Sequence, residues 1–390
     1  MVMLGATMRA VIKGRRRAMQ LWLVWLGASR VMGGEIATAT RLEQLAFNPS
    51  RGEVAQVTYK LGTEGSVTVV VLDADGGVVR KIAEDQVRKA GENVEVWDGR
   101  DEDDRVVPDE AYSFRVETSV VGAKESATSS GGVVGDITRA RYDRESGTLV
   151  YELPAPARVL VRLGIKNGPM HKTLVDWEPR IGGSITERWD GRDGHGLFAL
   201  GEHKDFSAMI TYSTLPAATV IAYGNEMETY REYRLGRGKG GAQTEKATAP
   251  RALATGDNDV RPIGLVPPAW ARSPRVLMTF PRSQGVEKQG VPEVSEKLAV
   301  RIDVDRSDKN YLLSDQFEVI LFVDNVFYAE AERGYLPYNH VWELHQLAAG
   351  EHILTVNISS FKGQVGVASR KIKIVRDDPS SAEQTSGGAK

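Results

Sequence analysis

Carboxylates crowd one short stretch, Asp98, Asp101, Asp103 and Asp104 in WDGRDEDD, and a looser group, Asp303, Asp305 and Asp308, lies in RIDVDRSDKN. Oxygen-rich loops of this kind are what a hard cation such as calcium requires. The looser group lacks the central Gly and the closing bidentate Glu of an EF-hand loop, and strand alternation puts Asp303 and Asp305 together on a solvent face. His171, His195, His203, His340, His345 and His352 contain no His-Glu-x-x-His pattern, and the spacing of His340 and His345 does not fit one helix face, so they read as surface histidines. Neither a Gly-x-Ser-x-Gly elbow nor a Walker loop nor a dinucleotide fingerprint occurs. GRGKGG, residues 236–241, is basic and glycine-rich, but no strand before it and helix after it would aim backbone N–H groups at a phosphate. No catalytic residue, metal or cofactor is expected, and Asp98, Asp101, Asp103 and Asp104 stay as weak calcium candidates.

A repeat bears on the first cluster. Trp-Asp-Gly-Arg-Asp occurs at residues 97–101 and again at 189–193, and the text before each copy aligns without a gap: Tyr59 with Tyr151, Leu61 with Leu153, Val67 with Val159, Val69 with Val161. A constant offset of about one domain length marks a duplicated module. The second copy keeps Asp190 and Asp193 but reads GHG where the first reads EDD. The shared acids are therefore assigned to a turn of the fold, and Tyr59, Trp97, Tyr151 and Trp189 to the repeated core.

The elements that would carry these residues are strands. Val57, Tyr59 and Leu61, then Val67, Val69 and Val71, alternate with the period of half-buried strands. DADGG (73–77) and KNG (166–168) punctuate them with residues that accept the positive φ of tight hairpins. Short strands spaced by such turns, with no long helical period, predict β-sandwiches. The last strand of the first copy holds AYSFRV; its equivalent begins at Phe206, with two extra loop residues.

The stretches NPSRGEVAQVTYKL, VVVLDADGGVVRKI and AGENVEVWDGRDEDDRVVPDEAYSFRV, with a diverged second copy that keeps WDGRDGHG, resemble the Ig-like domain of flagellar hook-capping (FlgD-type) proteins. The resemblance covers residues 45–215 and implies an Ig-like fold; such modules serve in hook scaffolding, adhesins, exported enzymes and surface proteins. LAAGEHILTVNI, near the C-terminus, resembles the last hairpin of many bacterial Ig-like domains. The chain is thus read as all-β, with three tandem Ig-like sandwiches joined by linkers. The expected plan is an export signal or N-terminal anchor (1–39), FlgD-type domains at 40–120 and 133–234, a Gly/Ala/Pro-rich linker (235–269), a third Ig-like sandwich (270–375) and a disordered tail (376–390).

With 390 residues, 50 basic against 52 acidic side chains and no cysteine, the chain has no overall field to attract nucleic acid and no thiolate chemistry. The basic KGRRRAMQ followed by apolar LWLVWLGA and small residues has the order of an export signal, and the apolar run is short of the ~20 residues a spanning helix needs. Export to the periplasm or cell surface is expected, with possible membrane association through the N-terminus and no membrane-spanning segment in the mature body. Phe327, Tyr328, Tyr335, Tyr338 and Trp342 form an aromatic group suited, if exposed, to a protein contact or a sugar ring; sandwich cores also consume such residues, and alternation lets only half of them face in. The expected role is a non-enzymatic accessory protein whose partners are subunits of an envelope or membrane complex; the alternative is an adhesin, with carbohydrate as a partner.

Overall fold

The computed structural model describes residues 37–120, 123–127, 132–237, 273–281, 291–361 and 363–376. Residues 1–36 of the export reading, 238–269 of the linker (with all but the first two residues of GRGKGG) and 377–390 of the tail lie outside the described residues.

The described chain is all-β, three sandwiches in succession. The first has strands β1 (Ala37–Leu42), β2 (Ala46–Phe47), β3 (Ala55–Leu61), β4 (Gly65–Leu72), β5 (Val78–Arg88), β6 (Gly91–Trp97), β7 (Glu110–Val120) and β8 (Ala123–Ala127). The second has β9 (Val134–Ile137), β10 (Ala140–Asp143), β11 (Thr148–Leu153), β12 (Ala157–Ile165), β13 (Met170–Arg180), β14 (Gly183–Arg188) and β15 (Phe206–Thr214). After β16 (Thr219–Ala222) and helix α1 (Tyr230–Arg237) come β17 (Val276–Thr279), β18 (Glu293–Val294), β19 (Lys297–Val304), helix α2 (Arg306–Leu313), β20 (Phe317–Val323), β21 (Val326–Ala331), β22 (Tyr338–Glu343), β23 (Gly350–Ser360) and β24 (Val365–Ile374).

In the first sandwich a β1-β3-β6 sheet faces β2-β16-β7-β4-β5; in the second, β10-β11-β14 faces β13-β12-β15-β9; in the third, β17-β19-β22 faces β18-β24-β23-β20-β21. Alternating apolar residues fill each interior: Val57, Tyr59, Leu61, Val67, Val69 and Val71 belong to the first core, and Leu149, Tyr151, Leu153, Val159 and Val161 to the second. Such inward-facing rows are what let two sheets bury their common faces.

The strand registers carry the duplication into three dimensions. Val69 pairs with Val116 in the first sandwich and Val161 with Ile210 in the second, so β4 and β12 keep an offset of 92 while β7 and β15 differ by 94. The two added residues fall in the loop between β14 and β15, where an insertion disturbs no ladder.

Three boundaries differ from the sequence expectation. Residues 37–39, placed in the N-terminal signal or anchor, already belong to β1, which pairs with β3 (Ala37↔Leu61). The spacing predicts that the second module runs to residue 234, but β16 returns to the first sandwich, pairing antiparallel with β7 (Val220↔Tyr112) and parallel with β2 (Ile221↔Ala46). All four of its residues are buried, and their apolar run fits a gap between two strands without encoding which sheet supplies it. Residues 235–237, placed in the linker, complete α1.

Candidate functional site

The Trp-Asp-Gly-Arg-Asp loop is built the same way twice. Trp97 and Trp189 are buried, and each indole N–H donates to a carbonyl three residues on, Arg100 O and Arg192 O, at 2.8 Å. Oδ1 of Asp98 and of Asp190 accepts the N–H of the following arginine at 3.1 and 3.0 Å, the Asx turn that a short acid favours. Gly99 and Gly191 have φ of +74° and +77°, and a Cβ on Gly99 would stand 2.3 Å from Pro49 Cβ. Each arginine then spans the loop to a carbonyl four residues on, Asp104 O or Gly196 O, at 2.6 Å. The last acid, Asp101 or Asp193, is buried and accepts main-chain N–H groups of its own loop.

A second constellation recurs beside it. Tyr59 donates to Glu95 Oε1 at 3.0 Å and Tyr151 to Glu187 Oε1 at 3.1 Å, while Nε of Arg88 and of Arg180 donates to the same oxygen at 2.7 and 2.8 Å. Burial, then the neighbouring glutamate, pushes both phenols up. These glutamates and arginines also obey the 92-residue offset, which was the signal that could have found them.

The two loops differ in what they present outward. In the first, Asp101 Oδ1 accepts Asp103 N and Arg105 N at 3.0 and 2.9 Å, while Oδ2 accepts from Arg105 Nη2 at 3.0 Å and the Tyr233 hydroxyl at 3.1 Å. Asp73, in the β4–β5 turn, is arranged alike: Oδ1 accepts Asp75 N and Gly77 N at 3.0 and 2.7 Å, and Oδ2 accepts from Arg234 Nη1 at 2.9 Å. Asp75 Oδ2 accepts from the Tyr230 hydroxyl at 2.9 Å. All three outward oxygens therefore meet α1.

Helix α1 begins with a capping box: Glu232 N–H donates to Thr229 Oγ1, and Thr229 N–H to Glu232 Oε2. Positions i, i+3 and i+4 share a helix face, which gathers Tyr230, Tyr233 and Arg234. The two tyrosines are buried against Ala74, and the Arg105 guanidinium lies 5.4 Å from the Tyr233 ring centroid, within cation–π range. Burial pushes the Asp73 carboxyl up, against the opposing pull of Arg234. Arg231 reaches away, donating to Asp308 Oδ1 at 2.6 Å and Ser307 O at 3.0 Å at the start of α2, and so ties the first sandwich to the third.

In the second sandwich Ile165 and Asn167 stand where Asp73 and Asp75 stand in the first, and both oxygens of Asp193 bond to its own loop. This end, which lacks those two carboxylates, receives the third sandwich. Asn357 clamps Met170, its Oδ1 accepting Met170 N–H and its Nδ2 donating to Met170 O, both at 2.8 Å. His171 Nε2–H donates to Asn325 Oδ1 at 2.7 Å, and Asp176 accepts from Ser273 N and Oγ at 2.7 and 3.1 Å. His171, expected at the surface, is wholly buried, and burial pulls its imidazole down. A cleft of about 440 Å³, lined by His195, Leu197, Met278, Phe280 and Arg370 among others, remains beside this junction.

The first and second sandwiches meet at a buried ion pair. Arg158 Nη2 and Nη1 donate to the two oxygens of Glu110 at 2.7 and 3.2 Å, and Nη1 also donates to Trp177 O at 3.1 Å. Trp177 has φ +55° where the β12–β13 register shifts, a bulge that turns its carbonyl toward the arginine.

The remaining sequence candidates are dispersed. Asp98, Asp103 and Asp104 are exposed, and among the described residues no group of three or more His, Asp or Glu is placed to hold a metal ion. Asp303 accepts from Lys309 Nζ, Asp305 caps α2 through Ser307 N, and Asp308 serves Arg231 and Arg275 N. Of the aromatic group, Phe327 and Tyr335 are exposed at 53% and 56%, and Tyr328 and Tyr338 are half-buried. Trp342, expected among the contact residues, is instead wholly buried: Tyr338, His340 and Trp342 alternate along β22 toward the interior, and the tryptophan joins the core. Tyr335 and Tyr338 meet edge-on at 64°, so the group offers no coplanar pair.

Residues 49–120 match the family model of the FlgD Ig-like domain. The first sandwich is a FlgD-type Ig-like domain, and the second repeats the geometry of its Trp-Asp-Gly-Arg-Asp segment. No curated protein matches the chain. Among solved structures, FlgD from P. aeruginosa is 26% identical over 23% of this chain and 64% of its own length, with a TM-score of 0.20. An endo-β-1,4-mannanase from Thermotoga petrophila is 16% identical over 50% of this chain and 30% of that one, with a TM-score of 0.20. A bacterial ice-binding adhesin is 12% identical over 86% of this chain and 98% of that one, with a TM-score of 0.19. The chain thus spans less than two thirds of the FlgD structure and of the mannanase.

Proposed function

We propose that this protein is an exported, non-enzymatic scaffold or accessory subunit that docks on a larger envelope or membrane-associated assembly through its sandwich surfaces. One observation carries the reading: the sandwiches are joined by directional polar contacts at every junction, Glu110–Arg158 between the first and second, Asn357–Met170 between the second and third, and Arg231–Asp308 through α1 between the first and third. Surfaces held in a fixed mutual placement suit a scaffold, whereas beads on a flexible string would suit reach alone. Phe327 and Tyr335 are the aromatic contacts such a surface would use. The signal-like order of residues 13–28 supports export, and among the described residues no helix is long and apolar enough to cross a membrane.

The test is native electrophoresis of gently solubilised membranes beside the soluble and surface-sheared fractions, with mass spectrometry of the N-terminus. Comigration with a large membrane complex supports the reading. A lone, monodisperse protein in native extracts refutes it, and recovery alone in the sheared or medium fraction transfers the role to adhesion.

A further inference from the structure

We infer that the acidic end of the first sandwich is a recognition site for a helix carrying two tyrosines and an arginine on one face, and that α1 masks it against a partner protein presenting the same chemistry. The site is organised without α1. Oδ1 of Asp73 and of Asp101 is held by main-chain N–H groups of its own turn, which fixes the direction of each Oδ2 whatever lies in front of it. The occupant, by contrast, depends on the site: α1 has eight residues, below the length at which a helix stands alone in water, and its two tyrosines are covered only where it docks.

The complementarity is specific. Asp75 takes one hydroxyl, Asp101 the other, and Asp73 the guanidinium, while Arg105 covers the Tyr233 ring and is itself flanked by Asp103. A partner must therefore offer tyrosines three positions apart, with the arginine next to the second. The corresponding end of the second sandwich already holds a folded domain, so this pair of loops is a docking end on both copies. Because α1 also holds Asp308, a partner that displaces it releases the tether to the third sandwich.

The masking follows from tethering: a segment on the same chain competes at an effective concentration in the millimolar range. The experiment titrates a fluorescein-labelled peptide of residues 228–237 into the purified full chain, into Arg234→Ala, and into the double variant Tyr230→Phe with Tyr233→Phe. The double variant keeps both rings and removes only the hydroxyl donors, so its fold survives even if Arg234→Ala is damaged. Saturable binding to a weakened variant is expected, with affinity for the unaltered chain lower by about tenfold or more. Adding Asp73→Asn and Asp75→Asn to the weakened variant should abolish it. The inference is overturned if folded variants bind no peptide, if the unaltered chain binds equally well, or if binding survives loss of the two acids. None of these outcomes depends on export or on the larger assembly, so this site and the scaffold reading can fail separately.

Discussion

Replacing Glu110 by Ala would test whether the junction between the first two sandwiches rests on a buried charge pair. Glu110 is 1% exposed and Arg158 9%, and the carboxylate accepts two guanidinium hydrogen bonds. Burial alone would lower the Arg158 guanidinium, and the Glu110 carboxylate outweighs it, holding the group above its ordinary value. With the carboxylate gone, Arg158 keeps the single bond to Trp177 O and remains a covered cation. Removing one member of such a pair costs about 3–5 kcal/mol, whereas exchanging both for apolar residues of similar size is often neutral. Glu110→Met and Arg158→Met, like Glu110→Ala, should therefore each destabilise by that amount, and Glu110→Met combined with Arg158→Met by less than either single, giving a coupling energy of at least ~3 kcal/mol. Urea titrations of the set, followed by tryptophan fluorescence and calorimetry, provide the cycle. Single variants costing below ~1 kcal/mol, the range of exposed pairs, would refute the reasoning, as would a strictly additive double variant.

Trp97→Ala and Trp189→Ala should each cost ~3–5 kcal/mol in the sandwich that holds the ring, seen as a lowered melting transition; unchanged melting would remove the core assignment. Gly99→Ala should be more destabilising than Gly91→Ala by ~1–3 kcal/mol in urea titrations, since both have positive φ but only Gly99 also crowds Pro49. His171 and His352 flank the β20–β21 turn, bonding Asn325 and Asp324, and should respond oppositely to pH. Burial holds His171 below the ordinary histidine value, so its contribution is complete above that value and is lost as pH falls through the folded pKa. Melting across pH 5–8 should therefore show the unaltered chain losing stability relative to His171→Gln on the acid side. Burial would lower His352 too, but Asp324 and Ala348 O outweigh it and hold the group up. Its contribution is thus complete below the ordinary value and is lost as pH rises through the folded pKa; the stability advantage over His352→Gln should shrink with rising pH.

What could be read in the chain was whatever obeys a local period or a fixed offset. The 92-residue repeat placed the tryptophan loops, and strand alternation placed Val57, Tyr59 and Leu61 inside. The same alternation, applied to Tyr338, His340 and Trp342, would have sent Trp342 inward, because one face of β22 can serve only one side of the sheet. The return of β16 had no such signature: a four-residue apolar strand pairs wherever a gap is offered, and the gap is made by β2 and β7, over a hundred residues earlier. Helix α1 lay in between. Its capping box and its Tyr230–Tyr233 spacing were visible in TYREYR, but the acids that receive it belong to two separate turns, and no linear pattern brings Asp73 beside Asp101.

The divergence of the two docking ends follows from few changes on a loop that cannot itself change. The Trp, Asp, Gly, Arg and final Asp all have duties inside the loop, from the indole bond to the arginine span, so substitution there breaks the sandwich before it alters recognition. Selection of an occupant is left to the neighbouring β-turn and to the residues that follow the motif. With Asp73 and Asp75 in that turn, the end carries charge that only donors can satisfy, and it takes a Tyr/Arg helix. With Ile165 and Asn167 there instead, and Lys166 between them, the same end lacks those carboxylates and meets the third sandwich through Asn357 on the Met170 backbone and Asn325 on His171. Exchanging 73 and 75 for 165 and 167 is thus expected to release α1 from the first end and to weaken the hold of the third sandwich on the second. Hydrogen exchange that stays unchanged in both α1 and residues 350–360 of such a variant would show that the turns do not choose the occupant.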